Sequence, residues 1–124
     1  MLKVTYLESG LYLEQLSETI EAWISLRVIL ALRMSQRLVV EHSTASLLLP
    51  LDLVQRSSLI TVAEEMLPLT QVDAEYIEVS LSGTWISSDQ QEAEGVFVTA
   101  LHPAIEPVLF ALWQAQGNPS SIRR

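Results

Sequence analysis

The chain has 124 residues, 49% of them hydrophobic and 18% charged, with 15 acidic against 7 basic side chains and a net charge of −8. That length makes one domain with room for a real core, and the acidity disfavours nucleic acid, whose phosphates a net-negative surface repels. The absence of cysteine excludes disulfides, zinc–thiolate sites, iron–sulfur clusters and thiol catalysis, and fits a cytoplasmic protein.

Residues 2–16 read as a hairpin. Leu2, Val4 and Tyr6 alternate on one side, Ser9-Gly10 is a turn signal, and Leu11 to Leu16 follows as a second strand. This alternating start has no basic region followed by an apolar block, so no signal peptide is expected. Ser17 is a candidate cap for a helical turn over 18–21.

The stretch from Trp23 to Leu49 dominates the chain. No apolar run in it nears the roughly 18 residues of a membrane helix. From Ile24 to Met34 every even position is apolar, while Arg27 and Arg33 fall on odd positions; this favours a long strand with the even positions buried. The rival is a helix, supported by the propensities of Leu, Ala, Arg and Met. Such a helix would be apolar all round and would have to be buried all round. Ser35-Gln36 is then a reversal into Leu38-Val39-Val40. Arg27, Arg33 and Arg37 are read as covering apolar neighbours with their stems.

Within 52–67 a helix is expected, with Asp52 as a possible N-cap, a capping-box spacing at Thr61–Glu64 and Pro68 as a stop. Ser58–Val62 could equally be a strand. Residues 71–75 read as a loop. Tyr76 to Ile86 is the cleanest strand, with Ile77, Val79, Leu81 and Trp85 on one face and Gly83 marking a bulge or a close backbone approach. Ser87 to Glu94 reads as a solvated acidic loop. Gly95 to Leu101, apolar on both faces, reads as a central strand paired with the preceding one. His102-Pro103 ends it. Pro107 opens a helix with Leu109, Leu112, Trp113 and Gln116 on one face, and Gly117 closes it. Residues 120–124 form a frayed tail behind a single domain of 1–119.

Chemistry is sparse. His42 has a carboxylate and hydroxyls beside it in Glu41-His42-Ser43-Thr44, but neighbours on a strand point to opposite faces, so no triad assembles, and a partly buried histidine in a turn is expected. A metal site would need His42, His102 and Glu41 or Glu106 to converge. Asp89, Glu92 and Glu94 lack the glycine and closing glutamate of a calcium loop. The four glycines stand alone, without a phosphate-binding loop. No catalytic residue, metal or cofactor is assigned.

The phrases Arg27–Arg33, Ser43–Pro50, Gly83-Thr84-Trp85 and Gly95–Thr99 resemble those of a small cyanobacterial protein family. The resemblance implies a bacterial cytoplasmic protein and brings no activity or functional residues with it.

The expected fold is therefore α+β, a mainly antiparallel sheet with a C-terminal helix packed on it. With a mean hydropathy of +0.30, the chain has more apolar surface than a small monomer hides, so a homodimer is expected. The leading function is a non-enzymatic interaction or regulatory protein that self-associates, without nucleic-acid or membrane partners. The rival is a small-molecule-binding protein or hydrolase-like enzyme using His42 with Glu41 or Ser43.

Overall fold

The computed structural model describes residues 1–57, 68–88 and 94–116. Strands β1 (Leu2–Leu7) and β2 (Gly10–Gln15) form the expected hairpin, in register from Leu2 opposite Gln15 to Leu7 opposite Gly10. Gly10 has a φ of 143°, which favours glycine at this tight reversal.

The next element corrects the strand expected over 24–34: Ile20–Arg33 is a continuous helix, α1. Its N-cap is Thr19 rather than Ser17, and the Thr19 hydroxyl accepts from the Ala22 amide at 3.2 Å. Such a cap stabilises a helix by about 1 kcal/mol. Glu21 in the first turn and Arg33 in the last complement the helix dipole. The even positions are not mostly buried. Leu26, Leu30, Leu32 and Met34 are exposed, and the residues that α1 buries are Trp23 and Ala31. Local propensity and good end signals prevail over the period-two pattern.

Ser35, at φ 55°, makes the anticipated reversal. Strand β3 (Leu38–Pro50) then runs into a one-turn helix, α2 (Leu51–Gln55). Asp52 is not its N-cap; Pro50 holds that position without a side-chain bond, and Asp52 instead pairs with Arg56 at 3.2 Å. The rest of the segment expected to be helix or strand, with Thr61–Glu64, lies outside the described residues. A short strand β4 (Leu69–Gln71) takes the start of the expected loop. The Asp73 carboxylate then accepts from the Glu75 and Tyr76 amides and turns the chain into β5 (Tyr76–Ser88). Strand β6 (Gly95–Thr99) and helix α3 (Glu106–Gln116) complete the described chain. Gly117, the 120–124 tail, Asp89 and Glu92 lie outside the described residues.

The sheet order is β2-β1-β6-β5-β3, with β4 also on β5, and every pairing is antiparallel. The fold is thus α+β. Strand β5 pairs with β3 along its whole length and with β6 from Thr84 to Ile86, so β6 is central, as its two apolar faces require.

Two cores lie on opposite faces. On one, Leu2, Val4, Leu47, Leu49, Val79, Leu81, Trp85 and Phe97 pack with Leu109, Leu112 and Trp113 of α3. On the other, a smaller cluster joins Met1, Ile86 and Val98 to Trp23 of α1. The Met1 ammonium, 2.8 Å from the Glu106 carboxylate, ties the hairpin to the start of α3. Gly83 lies under the Phe97 ring and Gly95 under the Trp85 ring, so the expected close approach at Gly83 is present.

Candidate functional site

Among the described residues, five of the eleven exposed large hydrophobic side chains lie in or at the end of helix α1. A helix residue recurs on one face every three or four positions. Ile20, Trp23, Ile24, Arg27 and Ala31 therefore share the face toward the sheet. Leu26, Ile29, Leu30 and Arg33 share the face away from it. Leu26, Ile29 and Leu30 are 43–49% exposed, and Leu32 and Met34 reach 71% and 66%. Soluble monomers rarely leave so many large apolar side chains together in water.

The charges around this stripe are ordered. Glu18 and Glu21 stand at its N-terminal end, Arg33 and Arg37 at its C-terminal end. None of the four forms an ion pair with another described residue. The Arg27 guanidinium lies 4.5 Å from the Trp23 ring centre, a cation–π contact.

The other candidate residues are dispersed. His42 is not in a turn and not partly buried: it sits within β3 opposite Thr84 and is exposed. Continuous pairing with β5 from Leu38 to Pro50 carries β3 through this polar segment. The His42 Nε2 is 3.0 Å from the Ser82 hydroxyl. Thr44, Ser46, Ser80 and Thr84 fall on the same sheet face by register. Glu41 and Ser43 fall on the opposite face, so neither can orient or serve His42. His102 lies beyond β6, its Nδ1 accepting from the Ala104 amide at 3.0 Å. Glu106 is committed to the Met1 ammonium. Among the described residues no three His, Asp or Glu side chains converge as metal ligands.

Ser43 is buried opposite Gly83, and its hydroxyl has no hydrogen-bond partner among the described residues. A buried unsatisfied hydroxyl costs about 1–3 kcal/mol. Ser43→Ala is therefore expected to hold stability level or raise it by about 1 kcal/mol. A drop of more than that size in urea denaturation would show that Ser43 makes a bond the fold needs.

A six-stranded antiparallel sheet, with α1 on one face and α2 and α3 on the other, and an apolar helical stripe with charged ends define a small α+β domain built around an open sheet. The chain belongs to the Alr0857-like family, whose model matches residues 1–117. No curated protein and no solved structure matches it significantly. Among the described residues, no helix is long and apolar enough to cross a membrane.

The sequence reading missed the stripe because it placed these residues in a strand. The available signal was Thr19 before an acidic first turn, with Arg33 closing the last.

Proposed function

We propose that this protein is a non-enzymatic interaction protein that self-associates through the outer face of α1. The observation that supports this reading is the exposed stripe of Leu26, Ile29, Leu30, Leu32 and Met34. The occupant is a second copy, because the stripe is self-complementary. Two α1 helices packed antiparallel about a two-fold axis near residue 27 bring Glu21 toward the end of the partner copy's helix that carries Arg33. A two-fold contact of this kind repeats each favourable pair. A parallel arrangement would set like charges together. The net charge of −8 per copy opposes association, but salt at physiological strength screens it over about 8 Å. A local apolar contact with paired ends therefore prevails.

Burying the exposed half of one such side chain contributes about 1 kcal/mol, from the 1.5–3 kcal/mol of a whole one. Five per copy give a sum of the same size as the association cost, so the dimer is concentration-dependent rather than obligate.

Sedimentation equilibrium tests this. The mass is expected to rise from the 13.9 kDa of one chain toward twice that value with concentration. Ile29→Glu should abolish the rise. Arg33→Glu alone should weaken it, and Glu21→Arg combined with Arg33→Glu should restore it, because the swap rebuilds both pairs. A mass fixed at one chain into the high micromolar range, or a double variant no better than the single one, overturns the proposal.

A further inference from the structure

We infer that the cleft beneath α1 is a binding site for a small monoanionic amphiphile, an aliphatic carboxylate. The cleft encloses about 390 Å³ between α1 and strands β1, β6, β5 and β3. That is within the range of small-molecule pockets. This site adjoins the outer face of α1 at Leu30 and Met34, which border both, but its cations and floor lie on the inner side and it does not require the dimer.

Its chemistry is uneven in an informative way. In a chain with twice as many acids as bases, two cations converge on one buried ring. The Arg27 guanidinium lies 4.5 Å from the Trp23 ring centre and the Lys3 ammonium 5.6 Å from it. Trp23 itself is 3% exposed, so it is a fixed floor against which both cations rest. Arg27 forms no ion pair with a described carboxylate. Its planar fork is the group that binds a carboxylate through two parallel hydrogen bonds. The remaining walls include Leu30, Ala31, Met34, Leu38, Ile86 and Val96. These are aliphatic, and they suit a flexible hydrocarbon chain.

Charge selects the head group. Lys3 is already paired with Glu14 at 3.4 Å, so Arg27 is the cleft cation without an ion pair among the described residues. Glu94 also lines the cleft and disfavours the second negative charge that a phosphate monoester would bring. The carboxylate thus meets Arg27, with Lys3 behind it, while the chain lies between the α1 and sheet side chains.

The probe is octanoate, followed by tryptophan fluorescence and by isothermal titration calorimetry. Trp85 and Trp113 lie on the other face of the sheet, so a saturable fluorescence change reports Trp23. Octanoate is expected to bind at least tenfold more tightly than octan-1-ol, and about 15-fold more tightly than hexanoate, since each of the two extra buried methylenes contributes about fourfold. Arg27→Gln should weaken octanoate at least tenfold and leave octan-1-ol unchanged. Ile29→Glu, on the outer face, should leave octanoate binding intact. Octan-1-ol binding as well as octanoate, an unaltered Arg27→Gln, or no saturable binding at millimolar octanoate overturns the inference. Should Arg27→Gln lose its helical circular dichroism, Lys3→Gln in β1 is read by the same criteria, with a several-fold loss expected and an unchanged affinity refuting the site.

Discussion

Gly83→Ala, the smallest possible addition to β5, is expected to cost about 3 kcal/mol or more, the upper end of what overpacking a core costs. A Cβ at Gly83 would lie 2.2 Å from the Val98 carbonyl oxygen and 2.8 Å from the Phe97 ring. The ring could turn aside only by leaving the core, where Phe97 is 1% exposed. The carbonyl cannot turn aside at all, because it belongs to the central strand β6, held between β1 and β5. Relief therefore requires β5 and β6 to separate at Trp85 opposite Phe97, the pair at the middle of the larger core. Domains of this size are stable by only about 5–15 kcal/mol, so the variant should melt far below the wild type or fail to accumulate. Urea denaturation measures it, and a midpoint shift worth less than about 1 kcal/mol would show that the strands accommodate a methyl group.

Much of this architecture is written in local pattern. The β1–β2 hairpin, β5 and α3 are legible because each buries one side of a period-two or helical repeat against a core, and β6 because it is apolar on both sides. Ile77, Val79, Leu81 and Trp85 are examples, as are Leu109, Leu112 and Trp113. Gly83 was legible for a different reason: a glycine inside a strand leaves room for something close. Helix α1 was not legible, and the reason is physical. Its apolar residues satisfy alternation and leave no polar face at helical spacing, so the reading turned on the premise that a helix apolar all round must be buried all round. In the described structure it is not. Two demands act on the same fourteen residues, one face packing on the sheet through Trp23 and the opposite face left uncovered. The uncovered face is what suggests a partner. His42 was misplaced for a smaller reason: Glu41 to Thr44 looks like a polar interruption, yet its alternate residues simply face opposite sides of β3. No sequence motif points to the cleft, because Lys3 and Arg27 meet over Trp23 only once α1 folds back across β1.

Trp23→Ala is expected to release α1 while leaving the sheet folded. Trp23 is the one large side chain that α1 buries fully, the other buried residue being Ala31. It joins the small cluster with Met1, Ile86 and Val98, and Arg27 and Lys3 rest on its ring. Truncating a buried aromatic costs about 3–5 kcal/mol. An isolated helix of 14 residues is marginal in water, so that loss exceeds what Thr19 and the dipole charges supply. The larger core lies on the opposite face of the sheet and contains no residue of α1, so the opening stays sub-global. Amide hydrogen exchange resolves the two regions. Residues 24–33 should lose their protection, while β5 and β6 keep theirs. Self-association and octanoate binding should both disappear, since the outer stripe and the cleft wall are presented by the same helix. Protection of 24–33 equal to that of β5 in the variant would mean that α1 is held by contacts other than the Trp23 ring.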